Sequence, residues 1–156
     1  MATIPEGARA FLATGPLAHI VTLNPDGTPH VTLAWAGVDA DGDRIVWSSF
    51  FDQHKLDNLR RDPRVTLSFQ AHEGGGERLH PYLVIRGRAT VEEGGALAVM
   101  DRLAPFYLGP GQVYPWRDAP AGLTISVDVE KVYGVGSWRA AGDGSGDEDE
   151  AEGEPG

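Results

Sequence analysis

The sequence predicts a mainly β protein with some α: a small six-stranded β-barrel decorated with short helices. Three observations carry that expectation. Over 64–71, "RVTLSFQA", Val65, Leu67 and Phe69 alternate with Thr66, Ser68 and Gln70, the period of a half-buried strand. Turn signals at 24–27 ("NPDG") and 39–43 ("DADGD") separate neighbouring apolar runs. The runs also follow one another too closely for the crossover helices that a parallel sheet requires.

The elements follow in order. Residues 6–13 ("EGARAFLA") form a short helix, with Ala10, Phe11 and Leu12 as its apolar side. Strands are expected at 17–23, 29–38, 44–50, 64–71, 81–92 and 123–135. In 81–92, Leu83, Ile85 and Val91 oppose Arg86 and Arg88. Residues 96–104 read as an amphipathic helix that Pro105 stops or kinks. Between the third and fourth strands, a helix of about ten residues starts at Gln53 with Asp52 as its N-cap. Pro63 ends it at or before Asp62.

The chain has 156 residues and a formal net charge of −10. Seven of the 23 acids lie in 143–156, which has no base and, Pro155 aside, no apolar side chain larger than alanine. Such a segment buries too little to offset its ordering entropy. The expected organisation is therefore one domain over 1–142 and a disordered acidic tail over 143–156. Without the tail, 16 acids stand against 13 bases, which leaves no broad basic face for nucleic acid. There are no cysteines, so disulfides, iron–sulfur clusters and thiolate zinc sites are excluded. No run reaches the roughly 18–20 apolar residues of a membrane span, and the first residues lack the pattern of a signal peptide. The expected location is the cytoplasm.

The cations raise the functional question. Lys55, Arg60, Arg61 and Arg64 fall within ten positions of an acidic chain. On the expected helix Leu56 and Leu59 lie about 60° apart and form a buried stripe, with Lys55 and Asn58 on a neighbouring face. Lys55 then sits in the first turn, where the macrodipole disfavours a cation. Free helix-start amides together with an ammonium make a phosphate site. Ser48 and Ser49, ending the preceding strand, could add hydroxyls, and His54 a ring donor. A solvated surface helix is the plainer reading, and it suits Arg60, Arg61 and Arg64.

The motif order "NPDGTPHV", "DGDRIVWSS", "KLDNLRRDPRVTLSF" and "VIRGRATV" resembles the pyridoxamine 5′-phosphate oxidase-like superfamily. It looks most like the actinobacterial branch that uses the deazaflavin coenzyme F420. The similarity runs from about Phe11 to Val135. It implies the FMN-binding split β-barrel and a homodimer with two cofactor sites at the subunit interface. It also implies that Lys55 contacts the cofactor phosphate, with Ser48, Ser49 and Asn58 close by, and that the backbone from Thr32 to Trp35 lines the ring system. Where pyridoxamine-phosphate oxidases hold FMN with basic residues, this chain has His30 and Trp35. Its C-terminal region offers only Arg139 for a phosphorylated pyridine, which argues against vitamin B6 oxidation.

The resulting expectation is an F420-dependent oxidoreductase acting on an electron-poor conjugated small molecule. The alternatives are an FMN-dependent reductase or oxidase and a non-catalytic carrier of deazaflavin or tetrapyrrole. Core packing competes with a ring contact at Trp35 and is favoured at Trp47. His19, His72 and His80 show no metal-ligand spacing. No side chain is singled out as catalytic, because hydride transfer is the cofactor's chemistry. A proton can come from solvent, Tyr82 or His30. The loops at 70–82 and 107–118 are expected around the ring.

Overall fold

A computed structural model describes residues 2–72, 80–136 and 138–139. The acidic tail and the centre of the 70–82 loop lie outside the described residues.

One antiparallel sheet of seven strands carries the structure, in the order β2-β1-β5-β6-β7-β4-β3. The strands are β1 (Ala18–Leu23), β2 (Pro29–Ala34), β3 (Gly37–Val38), β4 (Arg44–Ser49), β5 (Arg64–Gln70), β6 (Tyr82–Glu93) and β7 (Leu123–Val135). The sheet curls into a split barrel without closing, so β2 and β3 remain edges. The expected strand over 29–38 is thus two short strands. The Trp35–Ala36 bend between them is fixed by a distant residue: Tyr107 Oη accepts from Ala36 N at 3.1 Å and lies 2.9 Å from Ala36 O.

Alternation explains which residues turn inward. In β5, Val65, Leu67 and Phe69 are buried, and β1 buries Ala18, Ile20 and Thr22. Trp47 is fully buried in the core, beside Ile45, Leu67 and Ile125. The long β6–β7 ladder shifts register at Arg86/Gly87. Only glycine fits there, because a Cβ on Gly87 would lie 2.1 Å from Asp128 O.

Three helices are added: α1 (Glu6–Leu12), α2 (His54–Arg61) and α3 (Ala96–Leu108). α2 lies against β1 and β6, and α3 against β4. Leu56 and Leu59 are at most 2% exposed. Burial of such side chains contributes about 1.5–3 kcal/mol each. Two expectations are corrected. The N-cap of α2 is Gln53, not Asp52. Asp52 instead accepts from Gln53 N at 3.1 Å and from Arg60 Nη1 at 3.0 Å. Pro105 does not end α3, which runs on to Leu108. Tyr107 holds that last turn by donating to Pro16 O at 2.6 Å. No helix among the described residues is long and apolar enough to cross a membrane.

Candidate functional site

A cleft of about 400 Å³ opens between β2, the end of β4, the start of α2, α3 and the loop that follows α3. Its walls include Leu33, Ala34, Trp35, Ser48, Ser49 and Lys55. Five of the eight residues singled out from sequence therefore bear on it directly: Trp35, Ser48, Ser49 and Lys55 line it, and Thr32 touches Lys55. Asn58, His54 and His30 are outside the lining.

Lys55 decides the chemistry of the polar end. It is 6% exposed, and its Nζ donates to Thr32 Oγ1 at 2.9 Å. It makes no ion pair among the described residues. Burial alone pushes its pKa below the ordinary lysine value, because desolvation penalises the charged form. The other cations of the segment are engaged elsewhere. Arg60 bridges Asp52 and Asp57 at 3.0 Å each. Arg64 pairs with Asp62 at 2.7 Å and holds that carboxyl at about 2. Arg61 donates to Leu23 O and, at 3.3 Å, to Asn58 Oδ1.

Asn58 is fully buried and ties α2 to the first hairpin. Its Nδ2 donates to Thr22 Oγ1 and to Asn24 Oδ1, both at 3.1 Å. His54 Nε2 lies 2.8 Å from the same Asn24 oxygen, which can only accept, so that nitrogen carries the proton. The His54 ring meets His30 edge-on, with centroids 4.7 Å apart. These groups brace the helix start that carries Lys55. Neither serine offers its proton to the cleft. Ser48 Oγ donates to Ala96 O at 2.9 Å, pinning α3 to β4, and Ser49 Oγ donates to Phe51 O.

The remaining wall is aromatic. Trp35 stacks on Tyr107, with centroids 4.9 Å apart and planes 6° from parallel, and meets Tyr114 edge-on at 5.7 Å. Phe50 contacts Tyr114 at 5.4 Å and Trp116 at 5.2 Å. Residue-level reading from sequence missed Phe50, Phe51, Gln53 and Met100 in the lining, although it placed the 107–118 loop at the ring. Pairs of aromatics at strand ends and in Pro/Gly-rich loops are the signal that could have found the first two. Tyr82 is not in the lining.

A curled, unclosed antiparallel sheet with a buried lysine at one end of an aromatic-walled cleft defines a split-barrel protein. Residues 4–136 match the family model of pyridoxamine 5′-phosphate oxidase, and the chain belongs to that family. Among solved structures, an F420 reductase superposes with a TM-score of 0.66 at 25% identity, covering 83% of this chain and 98% of that one. A conserved hypothetical protein from Mycobacterium tuberculosis gives 0.64 at 24%, covering 81% and 80%. A heme binding protein from Mycobacterium smegmatis gives 0.61 at 21%, covering 90% of this chain and 57% of that one. No curated protein matches the chain.

Proposed function

We propose that the protein is an F420-dependent oxidoreductase that delivers a hydride from the reduced deazaflavin to an electron-poor conjugated small molecule. The carrying observation is Lys55, a buried ammonium without a counter-charge among the described residues, at one end of a ring-lined cleft. An anion at that position would relieve its desolvation and form a charge-assisted hydrogen bond. Among the described residues Lys55 is also the one charged side chain in the lining. A phosphodiester such as F420's carries a single negative charge, which one lysine balances. The terminal phosphate of FMN carries about −1.5 to −2 and calls for more cations. The likeness to an F420 reductase supports the same choice.

In this reading Lys55 and Thr32 hold the phosphate end, and the β2 backbone from Thr32 to Trp35 lies along the ring. Trp35 is kept flat by Tyr107. When bound, the reduced cofactor supplies the hydride. Among the described residues the lining holds no carboxylic acid, and in this reading water supplies the proton. Its open side is closed by a second copy: edge strand β2 exposes Val31 and Leu33 at 55% each, and Leu33 belongs to the cleft. Light scattering should give about twice the mass of one 16.7 kDa chain. The acidic tail takes no part, and truncation after Gly142 leaves cofactor affinity unchanged.

The test is a titration with F420 and FMN side by side, followed by turnover with a panel of quinones, enones and biliverdin-like acceptors. Tighter binding of F420 with turnover supports the proposal. Preference for FMN assigns the protein to flavin chemistry, and tight F420 binding without turnover across the panel makes it a carrier.

A further inference from the structure

The aromatic wall extends beyond what a cofactor ring needs. From Tyr114 the contacts continue through Phe50 to Trp116 and on to Phe51, whose centroid lies 6.0 Å from that of Trp116. Phe51 is 63% and Trp116 38% exposed. Adjacent large rings left in water mark a binding surface. Two observations say what covers these. The row is continuous with the cleft, since Phe50, Phe51 and Tyr114 line it. Its loop is also anchored despite lacking regular structure. Asp101 on α3 accepts from Tyr114 N at 2.9 Å and from Arg117 Nη1 and Nη2 at 2.7 and 3.0 Å. Arg117 Nη1 also donates to Tyr114 O at 2.9 Å. Trp116 sits inside that clamp, and Gly122 lets the loop return under Ser49, where a Cβ would lie 2.4 Å from Ser49 O. The rings are therefore placed before anything binds.

Resting on the function proposed above, we propose that Phe50, Phe51 and Trp116 form the substrate platform of the cleft, taking a flat, uncharged conjugated ring system by stacking. The charge assignment follows from the lining, where Lys55 is the sole charge among the described residues and, on that reading, would be taken by the cofactor phosphate. The Arg117–Asp101 pair beside the platform is neutral as a unit. Ring-on-ring contacts offset or edge-on are favoured beyond the area they bury.

Menadione, a neutral two-ring quinone, is the probe, titrated by intrinsic fluorescence into the full chain without cofactor. Trp116→Ser and Phe51→Ser should each raise its Kd about tenfold, equal to ~1.4 kcal/mol. In separate titrations the F420 Kd of Trp116→Ser, a residue outside the cleft lining, should stay within about twofold of wild type, and light scattering should give the wild-type mass for both variants. An unchanged menadione Kd, or no menadione binding to wild type, overturns the platform. Equal loss of F420 affinity shows that the rings hold the cofactor instead, and a fall in mass shows that they are a subunit contact. Failure of wild type to bind F420 would sink the cofactor reading while leaving the menadione comparison decisive for the platform.

Discussion

At one end of the cleft a single ammonium is 6% exposed; at the other, two aromatic rings stand 63% and 38% exposed. The two ends carry opposite debts. Lys55 is largely removed from water and, among the described residues, has only the Thr32 hydroxyl in return, so its charge is a standing cost that an anion removes. Phe51 and Trp116 have kept contact with water, and a flat ligand removes apolar surface from it. The polar end therefore confers a sharp requirement for charge at one point. The aromatic end confers a looser preference for shape. Under the proposed function the first end would hold the cofactor and the second the substrate.

The largest effect expected from breaking this contrast comes from the ammonium. Lys55→Met keeps much of the buried stem and removes the charge. Charge-assisted bonds are worth roughly 1.5–3 kcal/mol, so F420 affinity should fall by about one to two orders of magnitude. Lys55→Ala should lose at least as much affinity and some stability besides, because it also truncates a buried side chain. Affinity by cofactor fluorescence and Tm without ligand separate the two contributions.

Asn58→Ala should come next, and should act on stability first. It strips partners from Thr22, Asn24 and Arg61. A buried polar group left unsatisfied costs about 1–3 kcal/mol, here ~4–8 °C in Tm at ~2 kcal/mol for a domain of this size. F420 affinity should fall less than in Lys55→Met. The reverse order would make Asn58 a ligand contact rather than a brace for α2.

Arg60→Ala should show the smallest effect. Its pairs with Asp52 and Asp57 lie among side chains 40–70% exposed. Exposed pairs contribute under about 1 kcal/mol. Affinity should be unchanged by titration, since Arg60 is outside the lining. A loss matching that of Lys55→Met would mean that general basicity, not one placed cation, holds the cofactor.

How much of this could be read beforehand depended on whether the cause was local. The α2 face was legible because Leu56, Leu59, Lys55 and Asn58 share a helical period and Pro63 sets the limit; all four are buried. Lys55 stood out because a cation in a first helical turn is locally unfavourable. What escaped was fixed by distant partners. Asp52 would cap α2 on propensity, yet Arg60 takes its carboxylate. The 29–38 run divides because Tyr107 reaches back to Ala36, and the same residue carries α3 past Pro105. Phe50 and Phe51 follow a strand without any period of their own, and only folding brings Trp116 to them.

The proposed function rests on the charge at Lys55, and the pH dependence of binding measures that charge directly. Burial lowers the lysine's folded-state pKa below the ordinary 10.5. Between the folded and unfolded values the unfolded chain binds more protons, so Lys55's contribution to ligand-free stability should improve as pH rises through that window. Affinity for an anion should move the other way, because deprotonation removes the partner of the phosphate. The decisive measurement is F420 Kd against pH, from neutrality into the alkaline range, for wild type and Lys55→Met together. Wild-type affinity should weaken as pH climbs toward 10.5, converging on a variant whose Kd shows no such decline. Parallel curves for the two proteins would contradict the assignment of the phosphate to Lys55.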